Sequence, residues 1–307
     1  MFRVGHLSDL HATPVRIRSP RELDAKRLLG WLSWQVRRSH VHRPDVLEAL
    51  IEDLHRVAPD QIVVTGDLTN LACEQEFVAA RAWLHRIGAP AIVSIVPGNH
   101  DAYAPIPREI SWDHWSEFLR SDPLPGADGV AEAAFPTLRM RGAAAFVGLS
   151  TAQPTAMGLA TGALGEAQLV RLERLLEGLV DSKSCRILLL HHPPTQGVVS
   201  ARRALTDADA LRAVLRRTGV DLVLHGHGHR TLIGSLEGPS GPIPVVGARS
   251  SSDVGHRPDK RAQYHLYEIE PATGGARRFR IRLRIRGWDA AARRFAPEGE
   301  HLLGDVV

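Results

Sequence analysis

The sequence predicts an α/β fold on three observations. Short apolar runs alternate with stretches of helical periodicity, most of those runs end in a motif rich in His, Asp or Asn, and beyond residue 243 the pattern is wholly β. Residues 2–7 alternate apolar and polar and read as the first strand, which delivers Ser8-Asp9-Leu10-His11. Residues 45–57 carry helical spacing through Val46, Leu47, Leu50, Ile51 and Leu54 until Pro59-Asp60 breaks it. Residues 61–65 form a β-branched strand ending in Gly66-Asp67-Leu68-Thr69-Asn70, 74–87 a further helix, and 91–96 a strand that runs into Pro97-Gly98-Asn99-His100-Asp101. A β–α–β–α–β series implies neighbouring, mainly parallel strands with right-handed crossovers.

The region from Asp101 to about residue 135 is less regular and holds Trp112 and Trp115, for which an aromatic rim beside the site competes with core packing. Residues 143–149 read as a strand, 164–179 as a helix, and 186–190 as an apolar strand ending in His191-His192-Pro193-Pro194. A helix around 208–217 leads to the strand 221–224 and then to His225-Gly226-His227-Gly228-His229. Strands follow at 243–246, 264–269 and 278–286 and are assigned to the second sheet. The last alternates strictly, with Phe279, Ile281, Leu283 and Ile285 on one face and Arg278, Arg280, Arg282, Arg284 and Arg286 on the other. The expectation is a solvated edge strand whose charges guard against edge-to-edge aggregation.

With 307 residues, 44% hydrophobic and 23% charged, the chain has the composition of a soluble globular protein, and no linker divides residues 1–307 into more than one domain. Cys73 and Cys185 lie far apart in unlike settings, so both read as small packing residues in a reducing compartment. No cleavable leader pattern precedes the first strand and no apolar run approaches the ~18 residues of a membrane span. The expected location is cytoplasmic. The net charge of +4 invites a nucleic-acid or membrane partner, but no dedicated nucleic-acid module is present.

Residues 17–44 read as an insertion. Arg16, Arg18, Arg21, Lys26, Arg27, Arg37, Arg38 and Arg43 in and beside it outnumber Glu22 and Asp24, and Trp31 and Trp34 share a helical face with Leu28 and Leu32. It is either a basic amphipathic helix laid on the domain or a cap that binds an anionic, partly apolar substrate or the inner face of a membrane.

The chemistry lies in the strand-end motifs. In an extended segment Asp9 and His11 point to one side, so a carboxylate and an imidazole converge on one point. Gly98 allows a sharp turn that aims Asn99, His100 and Asp101 into the crevice at the strand ends. Three histidines in five residues at 225–229, separated by glycines, suit a metal far better than packing. Together the five strand ends make a two-metal site, and carboxylate, amide and imidazole donors suit Mn²⁺, iron, Zn²⁺ or Co²⁺ rather than soft-metal chemistry.

In the order DLH, GDLT, GNHD, HHPP and GHGH, residues 4–270 resemble the calcineurin-like metallophosphoesterase superfamily, in particular its bacterial branch that includes cyclic-nucleotide phosphodiesterases. The fold expected with it is a four-layer αββα sandwich of two mixed sheets flanked by helices. The resemblance implies one divalent transition-metal ion (Mn, Fe or Zn) on Asp9, His11 and His229, another on Asn99, His191 and His227, and Asp67 bridging them. It implies that a metal-bridging hydroxide attacks a small-molecule phosphoester, that His100 contacts the phosphoryl group and protonates the leaving oxygen, and that Asp101 fixes the His100 tautomer. His192 and His225 are left as supporting or substrate-facing groups. The activity it implies is phosphodiester hydrolysis, with cyclic nucleotides as one substrate class. The alternatives are a pyrophosphate hydrolase acting on nucleotide-diphosphate lipids of the UDP-diacylglucosamine kind at a membrane surface, and a non-catalytic metal-binding scaffold.

Overall fold

A computed structural model of the chain describes residues 1–17, 24–123, 135–255, 257–272 and 278–303. In chain order the elements are β1 (Phe2–Leu7), α1 (Ala25–Ser33), α2 (Ser39–Val41), α3 (Pro44–Val57), β2 (Gln61–Thr65), α4 (Glu74–Ile87), β3 (Val93–Val96) and α5 (Ser116–Leu119). They continue with β4 (Thr137–Arg141), β5 (Ala144–Gly148), α6 (Glu166–Gly178), β6 (Cys185–Leu189), α7 (Ala208–Thr218), β7 (Leu222–His225), β8 (Leu232–Leu236), β9 (Ile243–Gly247), β10 (Gln263–Pro271), β11 (Phe279–Asp289) and β12 (Arg294–Leu303).

The strands form two six-stranded sheets, ordered β12-β11-β10-β1-β2-β3 and β4-β5-β6-β7-β9-β8. In the first, β1, β2 and β3 run parallel while β10 pairs antiparallel with β1. In the second, β5, β6, β7 and β9 run parallel, with antiparallel strands at both edges. The sheets pack face to face through Val4, Val63, Val96, Phe146, Leu189, Leu224, Tyr267 and Leu283. The outer face of the first sheet is covered by Leu47, Leu50 and Leu54 of α3 and Phe77, Ala80 and Leu84 of α4, that of the second by Leu172 and Leu176 of α6 and Leu211 and Leu215 of α7. This is the four-layer αββα sandwich. Each core strand is buried on both faces, which is why its sequence is a continuous apolar run rather than an alternation.

Three expectations are corrected. Strands β10, β11 and β12 complete the first sheet, because β10 pairs with β1 over five register positions from Phe2↔Ile269 to His6↔His265. The arginine-rich strand is not an edge: one more hairpin places β12 outside it, so β11 is paired on both sides. Its arginines are not bare either, since Arg282 and Arg284 reach Glu268 on β10 and Glu300 on β12. Cross-strand carboxylates hold the row together, which removes the need for an anionic ligand there. Thirdly, Trp115 is fully buried against Phe77, and Trp112 donates its indole N–H to Asp101 O at 3.0 Å. Both tryptophans are packing residues rather than an aromatic rim.

The insertion is helical. Asp24 caps α1 by accepting from Arg27 N at 2.7 Å, and a π-helical turn over Trp34–Arg38 joins α1 to α2. Trp31 and Trp34 pack inward on Val15, Leu71 and Cys73, leaving Leu28, Leu29, Leu32 and Val36 exposed. Arg18, Arg21 and Glu22 of this segment fall outside the described residues. No helix among the described residues is long and apolar enough to cross a membrane.

One buried ion pair fastens α3 to the first sheet. Asp53 accepts from Arg286 Nε at 2.5 Å, from Arg286 Nη2 at 2.9 Å and from Tyr264 Oη at 2.6 Å. Its side chain is 5% exposed. Replacing Asp53 by Ala strands a largely buried guanidinium and should lower the unfolding free energy by about 3 kcal/mol. Urea denaturation followed by circular dichroism checks it, and a loss below about 1 kcal/mol would show that the pair does not hold the helix.

Candidate metal centre

Each candidate ligand follows the carboxyl end of a strand: Asp9 and His11 follow β1, Asp67 follows β2, Asn99 and His100 follow β3, His191 follows β6, and His227 and His229 follow β7. Parallel strands in both sheets point the same way, so five separate loops open onto one crevice. The structure brings them into two groups that share a member. One ligand atom each from Asp9, His11, Asp67 and His229 lies within 4.8 Å of the others, and so does one each from Asp67, His191 and His227. Asn99 Oδ1 stands 3.2 Å from His191 Nε2, which adds the amide to the second group. Asp67 Oδ2 lies 3.5 Å from His11 Nε2 and 3.3 Å from His191 Nε2, between the two groups.

The backbone is bent to achieve this. Asp9, His11, Asp67, His227 and His229 all adopt left-handed conformations, with φ between 43° and 65°. Such geometry is uncommon in residues other than glycine, costs energy and concentrates at functional sites. Two glycines make room for it. A side chain on Gly98 would collide with Asp67 Oδ1, and one on Gly226 with Ser8 Oγ and Asp9 Oδ2. These are the reasons for the glycines in GNHD and GHGH.

Backbone carbonyls orient the imidazoles. His11 Nδ1 donates to Thr69 O at 2.9 Å, His191 Nδ1 to Thr65 O at 2.7 Å and His227 Nε2 to Arg203 O at 2.9 Å. In each case the other ring nitrogen is left as a lone-pair donor facing the centre, the arrangement typical of metal-ligating histidines. Burial and neighbouring imidazoles hold His11 and His227 well below the ordinary histidine range, so both are neutral. Burial raises the Asp67 and Asp9 carboxyls, but His191 beside the one and His229 beside the other outweigh it and hold both below the usual range. Asp9 Oδ1 is buried, with His229 Nε2 beside it at 3.1 Å. Burial lowers the His191 imidazole, but the Asp67 carboxylate outweighs it and pushes His191 up to about 9. With neutral imidazoles at His11 and His227 and two ionised, buried carboxylates, the donor set fits a pair of divalent cations.

His100 sits at the edge of the centre. Its Nδ1 donates to Asn70 O at 2.6 Å, and its Nε2 accepts from Arg38 Nη1 at 2.9 Å. Burial, then the Arg38 charge, lowers it to about 4. The tautomer is therefore set by a carbonyl and not by Asp101, which corrects the expected contact. Asp101 Oδ1 accepts from Thr69 N and Thr69 Oγ1, both at 2.9 Å, and Oδ2 from Gly98 N at 2.9 Å. Asp101 staples two motif loops together, and burial with the Asp67 charge pushes it up to about 7. His192 and His225 face no substrate space. His192 is fully buried against His227 with ring centroids 4.4 Å apart, and its Nδ1 lies 2.7 Å from Thr151 Oγ1. The buried His225 Nδ1 lies 3.0 Å from Gly226 O.

Several residues escaped the sequence reading. His42, at the end of the insertion, packs on His11 with centroids 4.7 Å apart and is held by Ser252 Oγ at 3.0 Å. Ser250 Oγ donates to Asp9 O at 2.6 Å and Ser252 Oγ to Leu10 O, so the serine run after β9 fixes the DLH turn. The signal available was a run of three serines at the carboxyl end of a buried strand. Glu76 lies fully buried under the GDLTN loop and accepts from Asn70 N, Leu71 N, Cys73 N and Thr13 Oγ1.

Above the centre lies a cavity of about 820 Å³. Its floor includes His11, Asp67, Asn99, His100, His227 and His229, and its walls include Lys26, Leu29, Val36 and Arg38 from the insertion. Lys26 Nζ donates to Tyr103 O at 2.6 Å and Thr155 O at 2.7 Å, tying α1 to both rims.

The calcineurin-like phosphoesterase family model matches residues 2–231. A probable cyclic nucleotide phosphodiesterase of Synechococcus sp. is 25% identical over 226 residues, 73% of this chain and 77% of that one. A probable glycerophosphodiester phosphodiesterase GpdQ of Arcobacter nitrofigilis is 29% identical over 138 residues, 45% of this chain and 43% of that one. Among solved structures, a dimetal phosphatase from Danio rerio superposes with a TM-score of 0.65 at 13% identity, covering 98% of both chains. That likeness is one of fold.

The loop carrying Asp67 depends on the carboxylate of Glu76. Glu76→Gln turns one acceptor oxygen into a donor facing backbone N–H groups and should cost about 2 kcal/mol. Thermal unfolding of the metal-free chain reads this directly, and an unchanged midpoint would show that the loop holds itself.

Proposed function

The chain belongs to the calcineurin-like phosphoesterase family, and from that premise we propose that it hydrolyses a small-molecule phosphodiester, cyclic nucleotides among them, over a dinuclear centre. As a family member it is a metal-dependent phosphoric ester hydrolase. The observation that carries the finer reading is the pair of ligand groups sharing Asp67 with His100 at their edge. Asp9, His11 and His229 would hold one cation, Asn99, His191 and His227 the other, and Asp67 would serve both. When bound, two divalent ions such as manganese, iron or zinc supply a nucleophile at neutral pH and offset the charge of the phosphoryl oxygens.

The protein's own groups do the rest. Asp67 Oδ1 accepts from His100 N at 2.8 Å, which fixes the imidazole relative to the bridging carboxylate. With Nδ1 committed to Asn70 O, Nε2 is the one ring position that faces the cavity. Arg38 donates to it there, so the guanidinium and His100 converge on the point where a phosphoryl oxygen would sit. An entering phosphate anion takes over Arg38, whose charge adds to burial in keeping His100 neutral, and its own negative charge favours the imidazolium. Nε2 then takes up a proton from solvent and passes it to the leaving oxygen as that P–O bond breaks and a water-derived oxygen bonds to phosphorus. Tyr103 stacks on the ring at 5.6 Å and limits its rotation.

A second reading rests on the apolar wall. Leu29, Val36, Met157 and Leu159 line the cavity and are exposed, Val36 to 81%. They suit an apolar chain on the substrate, as in a nucleotide-diphosphate lipid presented at a membrane surface, with residues 17–44 as the cap. Val36→Asp should then raise KM for such a lipid roughly tenfold and leave a short diester within about twofold. Equal effects on both would dismiss the cap's role.

For the main reading, His100→Asn should retain the metal complement by elemental analysis and lose about 10²–10³ of kcat on bis(p-nitrophenyl) phosphate. Full activity with metals retained would overturn the assignment. Removing the ions with a chelator should abolish hydrolysis, and Mn²⁺ should restore it. Activity that survived chelation would refute the metal-dependent reading.

A further inference from the structure

The cavity is more cationic than one phosphodiester requires. Lys26, Arg38, Arg203, Arg257 and Lys260 line it, against the carboxylates Asp67 and Asp253. Arg38 belongs to the reacting phosphate and Lys26 is spent on two carbonyls. Arg257 is paired with Asp259 at 2.9 Å. Arg203 and Lys260 remain: each gives one side-chain donor to a single backbone carbonyl, and among the described residues neither has a carboxylate within ion-pair distance.

These two cations straddle one turn. Arg203 Nη2 donates to His227 O at 2.6 Å and Lys260 Nζ to His229 O at 3.4 Å. They reach it from unrelated parts of the chain, Arg203 from the loop after HHPP and Lys260 from the loop between β9 and β10. Two like charges held beside each other at a partly enclosed wall repel unless an anion lies between them. Both side chains are next to His227 and His229, so that anion would lie beside the candidate metal centre.

We propose that Arg203 and Lys260 form a second anion subsite, and that the substrate is a phosphodiester carrying a further phosphate or carboxylate group besides the one that is cleaved. The inference rests on the phosphodiesterase reading above and narrows it. A cyclic mononucleotide has a single phosphate and would leave this pair unused, whereas a nucleotide with a second phosphate would engage both Arg38 and the pair. A bidentate guanidinium and an ammonium on one phosphate are charge-assisted donors.

The test uses a matched pair, the p-nitrophenyl ester of thymidine 5′-phosphate with and without a 3′-phosphate, on the full metal-loaded chain. The 3′-phosphorylated ester should have a KM roughly tenfold lower. In Arg203→Gln and in Lys260→Gln that ratio should fall toward one, and in Arg203→Lys it should partly return. A wild-type ratio of one, or a preference that both Gln variants keep, overturns the proposal. Calorimetric binding of thymidine 3′,5′-bisphosphate against thymidine 5′-phosphate asks the same question without turnover. If neither ester is cleaved yet the bisphosphate binds about tenfold tighter and the Gln variants lose that margin, the subsite stands and the phosphodiesterase reading fails. If both nucleotides bind equally, the subsite fails whatever the activity. Metal analysis of each variant separates loss of the subsite from disturbance of the neighbouring histidines.

Discussion

Two carboxylates with almost no access to solvent, Asp9 and Asp67, set the terms for the whole structure. A buried charge is tolerated only when it is paired and hydrogen-bonded. Asp67 therefore recruits His11 from one strand end, His191 from another and the His100 amide from a third, while Asp9 draws on Ser8, His229 and the His227 amide. Because these partners come from both sheets, the charge requirement also fixes how the sheets sit on each other. The apolar inter-sheet core supplies most of the stability in such a fold, but apolar contacts are non-directional and would tolerate sliding. The polar cluster at one edge is what specifies a single registration.

The same constraint explains why the backbone is bent where it is. Five candidate ligands in left-handed conformations cannot be favoured locally, so the surroundings must impose them. Asp101, Glu76, Ser250 and Ser252 do this by occupying backbone N–H and C=O groups of the motif loops. These side chains never approach the cavity floor, yet they decide where Asp9, Asp67 and Asn99 point. The site is thus two layers deep, with an inner layer of donors and an outer layer that holds the loops against their own preference.

Legibility in the sequence divides along that line. The inner layer could be read because each of its residues directly follows a buried strand, and a polar motif after an apolar run is a local pattern. The four layers were foreseen with them, once the β–α alternation and the family resemblance were joined. What sequence could not place was anything defined by a distant partner. β12 and the true position of β11 depend on a hairpin whose return strand reads Arg-Phe-Ala-Pro-Glu, with a proline and little alternation. The Asp101 contact was misjudged because three donors lying nearer than the imidazole compete for the carboxylate. Arg38, Arg203 and Lys260 were invisible as a set, since neighbours among them are 165 and 57 positions apart in sequence and come together only as lining of one cavity.

The pairing of β1 with β10 joins residues about 260 positions apart, Phe2 with Ile269. Synthesis proceeds from the amino terminus, so the strand that delivers Asp9 and His11 emerges about 260 residues before β10 and lacks one neighbour until that strand exists. A long-range pairing of this kind is slow to form, and an unsatisfied strand edge invites association with other chains meanwhile. The candidate metal centre is consequently a late product of folding: Asp9 and His11 are translated long before the strand that locks them. Truncated or nascent forms ending before β10 would carry every motif of the site without the strand that seats the first of them.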